Sequence, residues 1–323
     1  MPFWKQPPPE EQQRRMQEQQ EAEASRKALE AGGLPLKAQK RLSEEMIAGH
    51  PLFSSDLTAK ELLLTRQQEY QPLSQVMGSS IYHVGWQYTA SYPRATVSYE
   101  LQTVSNAHLH AAQLALGRLE QEASLLKAHG VIGVRLTTRD YEWGNDMIEY
   151  TAIGTAIRLP NAPLHPRPFL SDLSGQEFWT LQQAGYYPVG IVVGYCSYCI
   201  SSGWQLDQQL RWNWSNQEIT DYAQGVYTAR HLAMTRLEAA ARSFNALGIV
   251  GMHIDYRKTE REYERDKDPT TYRDTFITFS AIGTAIVSRK RDHIIPTPKL
   301  TLTFTDLRPG RYGQNQELTV TRE

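Results

Sequence analysis

Phe53-Ser54-Ser55-Asp56-Leu57-Thr58-Ala59-Lys60-Glu61 returns 116 positions later as Phe169-Leu170-Ser171-Asp172-Leu173-Ser174-Gly175-Gln176-Glu177. The register then holds without a gap, so Pro72 falls on Pro188, Gly78 on Gly194 and Tyr82 on Tyr198. Farther along, Arg118-Leu119-Glu120 answers Arg236-Leu237-Glu238, and Gly130-Val131-Ile132-Gly133 answers Gly248-Ile249-Val250-Gly251, now 118 apart. Ala-Ile-Gly-Thr-Ala-Ile closes both copies, at 152–157 and 281–286. Self-similarity at this spacing is the mark of a duplicated structural unit, and it decides how everything between the matching residues is read.

Each copy opens on a helix start. Thr58-x-x-Glu61 and Ser174-x-x-Glu177 are capping boxes, in which the hydroxyl and the carboxylate each satisfy an unpaired backbone N–H. The short helix ends near Tyr70 or Gly185, and Pro72 and Pro188 begin strands that carry Gly78 and Gly194, where the backbone bulges or is closely approached. Residues 95–101 alternate like a strand, but their counterpart holds another capping box, Ser215-Asn216-Gln217-Glu218. The comparison predicts a long helix in both copies, from about 98 to 129 and onward to Leu247. Leu109, Ala112, Leu116, Leu119, Ala123 and Leu126 form its apolar stripe in the first copy, and Tyr227, Met234, Leu237, Ala241 and Phe244 in the second. Gly130 and Gly248 stand where a glycine ends a helix.

Two strands follow in each copy. Residues 131–141 and 147–157 flank Trp143-Gly144-Asn145-Asp146, a hairpin turn, and residues 249–256 pair in the same way with 276–286. Between the latter two, residues 257–269 are dense in charge and read as an exposed loop. The last strand is predicted where Leu300, Leu302 and Phe304 alternate with threonines, ahead of a loose tail. At the other end, Glu10–Arg14, Glu11–Arg15 and Glu23–Lys27 are i,i+4 pairs on a polar helix without an apolar stripe. Gly32-Gly33 stops that helix, and a second spans about 36–47. The expected fold is α+β: two tandem β-α-β-β modules, two-layered and mainly antiparallel, each preceded by a short helix. The expected divisions are 1–50 for the polar helical extension, 51–160 and 161–291 for the modules, and 292–323 for the tail.

Composition narrows the partners. Lys and Arg number 34 against 35 Asp and Glu, so no net charge draws the chain to nucleic acid or an anionic membrane. The longest apolar run, 189–200, is too short to span a bilayer, and the first residues lack the apolar core of a signal peptide. A cytoplasmic location is the expectation, with the polar N-terminal helix available to a protein partner.

Several of these residues together resemble the YbjQ family. They are the Tyr-x-Pro-x-Gly-x-Val-x-Gly run ending at Gly194, Tyr82-His83, Ala229-Arg230-His231-Leu232-Ala233, the Gly-x-x-Gly at each long helix end, and Gly-Thr-Ala at Gly154 and Gly283. The resemblance spans both repeats and neither terminal segment. It implies a small β-α-β-β module assembling into closed rings, and it carries a heavy-metal-binding label. A three-stranded sheet with one long helix leaves a face and edges open, which by itself predicts self-association.

The chemistry is sparse. Cys196-Ser197-Tyr198-Cys199 holds both cysteines of the chain, too few for a disulfide framework, and Cys199 stands at the repeat position of His83. Cys196, Cys199 and His83 are therefore the candidate ligands for a soft divalent metal such as zinc or copper. On a regular strand, residues three apart point to opposite faces, so chelation by the pair requires a bulge. Thiol redox use of Cys196 and Cys199 is an alternative, as is packing in a core. The Arg118 and Arg236 motifs read as structural ion pairs. His108 and His110 are two apart on a helix and do not share a face. Trp204, Trp212 and Trp214, against Trp86 in the first copy, anchor loops or line a pocket. No nucleophile–base, phosphate-loop, zincin or dinucleotide motif occurs. A binding or scaffold protein without chemistry of its own is the leading expectation, and an enzyme whose site forms between subunits is the alternative.

Overall fold

The computed structural model describes residues 9–47, 54–84, 98–140, 147–202, 218–265, 268–288, 301–305 and 315–319. The described chain falls into two units, residues 1–289 and 290–323. The first is α+β and contains both modules. Module one is built from α3 (Ala59–Gln67), β1 (Gln71–His83), α4 (Gln102–Leu125), β3 (Gly130–Asp140) and β4 (Met147–Arg158), with β2 (Tyr99–Glu100) ahead of α4. Module two repeats the plan with α5 (Gly175–Gln183), β6 (Tyr186–Ser202), α6 (Thr220–Ser243), β7 (Gly248–Arg265) and β8 (Asp268–Ser288), preceded by β5 (Phe169–Leu170). In each module the last strand is central and antiparallel to both neighbours, β1-β4-β3 and β6-β8-β7.

Local chemistry sets the helix starts. Both capping boxes form: the Thr58 and Ser174 hydroxyls accept from the N–H groups of Glu61 and Glu177, whose carboxylates accept from the cap N–H groups in return. The long helices do not start that way. They begin after Leu101 and Ile219, neither of which caps through its side chain, so Glu218 lies outside α6, and residues 215–217 lie outside the described residues. Residues 98–101 are not helical, contrary to the helix expected from about 98, because Tyr99 and Glu100 pair with Cys199 and Tyr198 of β6 instead. Gly130 and Gly248 are not the helix-ending residues either. Lys127 and Asn245 take the left-handed conformation (φ 54° and 53°), and the glycines start strands.

Gly78 and Gly194 are sites of close approach, not bulges. A Cβ on Gly78 would overlap the Ala115 carbonyl oxygen, and one on Gly194 that of Ala233. The bulges fall earlier, between Pro72 and Ser74 and between Pro188 and Gly190. The helix face meeting each strand is correspondingly small: Ala107, Ala111, Ala115, Leu119 and Ala123 in α4 match Gly225, Ala229, Ala233, Leu237 and Ala241 in α6. Tyr227 and Phe244, expected on this stripe, are exposed instead.

The modules are interleaved. Besides its own sheet, α4 covers the far face of the second sheet, where the His108 ring stacks on Tyr195 (4.0 Å between centroids) and Ser105 Oγ accepts from the Ser197 N–H (2.9 Å). Ile191 and Val193 of β6 join one apolar cluster with Val76, Leu116, Val134 and Tyr150. The order of layers is thus first sheet, α4, second sheet, α6. At the other edge, β5 runs parallel to the start of β3, and Gly133 and Val134 N–H groups donate to the carbonyls of Leu173 and Ser171.

Of the residues expected to form a charged loop, 257–269, those from Arg257 to Arg265 and from Asp268 onward lie in the β7–β8 ladder instead, because Arg257, Lys258, Thr259 and Glu260 are exposed on both faces of the paired ribbon and need not break it to reach water. The Trp143–Asp146 turn lies outside the described residues. At the N-terminus, α1 (Pro9–Glu30) is exposed from Glu11 onward apart from half-buried Glu21, Ser25 and Ala28, and α2 (Leu36–Ile47) turns back through Gly32 (φ 78°). Leu42 is fully buried in the module-one core. In the second unit, β9 (Thr301–Thr305) pairs antiparallel with β10 (Asn315–Thr319), so part of the tail expected to be loose is a hairpin.

Candidate functional site

Cys196 and Cys199 sit on a strand whose register with β8 is continuous from Gly190 to Ser202. The bulge that would turn them to one side is absent there, and they face opposite sides of the sheet. Cys196 points toward α6 and is fully buried among Ile200, Ala229, Ala233 and Ile277. Burial, with Glu100 nearby, pushes its thiol up to about 12. That thiol is protonated near pH 7. Cys199 is also buried, with Tyr99 opposite it across β2. His83 occupies the matching end of β1 and is exposed. Among the described residues no three His, Cys, Asp or Glu side chains converge.

Polar chemistry gathers instead at the junction of the modules. His108 is buried between layers, with Nδ1 2.9 Å from Tyr150 Oη and its ring stacked on Tyr195. Burial, reinforced by Arg257, lowers its pKa to about 4, so the ring is neutral near pH 7. Arg236 donates to Glu100 (2.5 Å) and to the Tyr195 carbonyl (2.8 Å), tying module two to the segment ahead of α4. The Glu100 hydrogen bond raises the Arg236 pKa. Its repeat partner Arg118 makes the same bond to Ser79 O (2.5 Å), but its remaining donors go to the carbonyls of Leu29 and Gly33.

Sequence reasoning placed Arg118 and Arg236 in structural ion pairs, which holds for Arg236 and Glu100, although the acid is not the neighbouring Glu238. It missed His108, Tyr150 and Tyr195. The available signal was a single position on the second face of α4, where small Ala112 answers Arg230 of α6. A recess between α3 and α5, lined by Leu63, Leu64, Gln176 and Trp179, contains a buried Trp179 Nε1 that has no hydrogen-bond partner among the described residues. Trp86, Trp204, Trp212 and Trp214 lie outside the described residues. Among the described residues, no helix is long and apolar enough to cross a membrane.

Residues 67–160 and 184–289 each match the family YbjQ_1, described as "Putative heavy-metal-binding". An encapsulin nanocompartment protein of Mycobacterium tuberculosis is 37% identical over 218 residues, which is 66% of this chain and 81% of that protein. No solved structure matches the chain significantly.

Proposed function

From a chain that belongs to the YbjQ family in two tandem copies, we propose a self-assembling scaffold whose work is to build a closed oligomer, with no chemistry of its own. One observation carries this reading: each module buries a face against the other, and the equivalent faces at the two ends are open and carry exposed apolar side chains. Met77 and Ile81 are exposed on the outer face of the first sheet, and Tyr227 is exposed on the outer face of α6. Open apolar faces of this kind mark association surfaces. The name of the mycobacterial relative, a nanocompartment protein, supports assembly as the shared property. Work in the cytoplasm and a protein partner on the exposed length of α1 belong to the same reading. Light scattering on the purified chain tests it: a mass several times 36.8 kDa is expected, and a monomer at micromolar concentration overturns it.

A soft-metal site is the second reading. It is favoured by the family description and by the matching strand positions of His83 and Cys199. Within one chain it requires the β2–β6 edge to open and a buried thiol to ionise. Copurifying zinc or copper that is lost in a Cys196→Ser, Cys199→Ser chain supports it, and metal-free native protein removes it.

A further inference from the structure

We infer that the junction between the two modules is repeated between successive chains, so that α6 and β7 of one copy cover the first sheet of the next. This rests on the self-assembly reading above and names its interface.

The internal junction supplies the template. Shifting by the repeat converts each of the buried groups named below into an exposed or half-buried one. On β6 the covered face carries Ile191, Val193, Tyr195 and Ser197, all buried; the same positions of β1 are Gln75, Met77, Ser79 and Ile81, exposed or half-buried. On the covering side, buried His108, Ala112 and Leu116 of α4 correspond to Val226, Arg230 and Met234 of α6, none of them buried. Val134 and Leu136 of β3 pack into the junction core, whereas their counterparts Met252 and Ile254 are exposed, as is Tyr256 beyond them. The open surfaces at the two ends are therefore the two halves of one interface that is already closed inside the chain.

The sheet edges repeat the pattern. In the junction, residues 169–173 line the edge of β3, with Phe169 and Ser171 N–H groups donating to the His129 and Val131 carbonyls, and Gly133 and Val134 N–H groups donating back. The edge of β7 has the same left-handed glycine (Gly251 φ 64°, Gly133 φ 63°), yet it is the end strand of its sheet among the described residues. The counterpart of the capping segment is Ser54-Ser55-Asp56-Leu57, held on its own module by Ser54 O accepting from Gln75 N–H and Asp56 N–H donating to Thr155 Oγ1. A following copy presents this segment to Gly251 and Met252. The electrostatics transfer as well: Glu100 binds Arg236 across the internal junction, so exposed Glu218 of one copy meets Arg118 of the next, which among the described residues has no carboxylate bonded to it. Such head-to-tail contacts close into a ring when the rotation per step allows.

Cross-linking tests the inference. By the His108–Tyr195 stack, Val226 of one copy lies over Ser79 of the next, and within one chain these residues sit on opposite outer layers. A chain carrying both Val226→Cys and Ser79→Cys should, on oxidation, run as a ladder of covalent multimers on denaturing gels, with at least a tenfold excess over either single variant. Met77→Glu with Ile81→Glu should drop the native mass to that of one chain while the far-UV circular dichroism stays unchanged. An oligomeric native protein with no ladder and an undiminished mass in the Glu variant overturns this interface and leaves the assembly reading standing. A monomeric native protein overturns both.

Discussion

His108 shows how one position can take on a role that its repeat partner, Val226, does not have. Its buried ring stays neutral because charging it between layers is unfavourable. The sign of its pH effect follows. With a folded pKa near 4 and an ordinary unfolded value near 6.5, the unfolded chain binds more protons between those limits. The contribution is intact above about pH 6.5 and is lost as pH falls toward 4, on the order of 3 kcal/mol in full. Urea unfolding at pH 7 and pH 4.5 should show this loss in the native protein, and a His108→Leu chain should lose less by a corresponding amount. Glycine positions give a second test at the same scale. Gly194→Ala drives a methyl into the Ala233 carbonyl and should cost about 1–3 kcal/mol or more, whereas Gly117→Ala, with nothing within 4 Å of its Cβ, should be neutral or stabilising by up to about 1 kcal/mol. Equal unfolding midpoints for the two variants would refute the close-approach account.

At the scale of elements, the two short helices are locally specified and the two long ones are not. Capping boxes at Thr58 and Ser174 fix where α3 and α5 start through contacts within four residues. Replacing either hydroxyl residue by alanine should cost about 1 kcal/mol, read as a lowered denaturant midpoint with unchanged slope. For α4, the start is set by packing: the strand residues ahead of it are captured by β6, and Glu100 is captured by Arg236. Glu100→Gln should therefore weaken the junction by about 1–3 kcal/mol, with the loss reduced in an Arg236→Gln background when the double-mutant cycle is completed. Additive losses would show that the two side chains do not act together.

For the whole molecule, the interleaving of layers within residues 1–289 closes one junction between modules inside the chain, and the assembly proposed above uses the equivalent faces at its two ends. Removing module two should accordingly do more than halve the assembly: it exposes Ala112, Leu116 and the His108 ring on the second face of α4. A chain ending at residue 160 should be insoluble or should associate with itself through that face, and a well-behaved monomer from it would contradict the layered account.

The sequence by itself determined the duplication, the α+β module, the capped helices and the antiparallel hairpins, because each rests on local periodicity or on register between copies. Comparing the copies also pointed to Gly78 and Gly194. Only the tertiary structure decided that residues 98–101 leave the helix, that α4 is buried on two faces, and that Cys196 and Cys199 are separated by the sheet they share. It also turned the charged residues 257–265 from a loop into strand. The physical reason is the same in each case: which of two backbone partners a segment takes, and which face of an element stays dry, depends on what another module places beside it. That information is non-local, and no spacing within either copy records it.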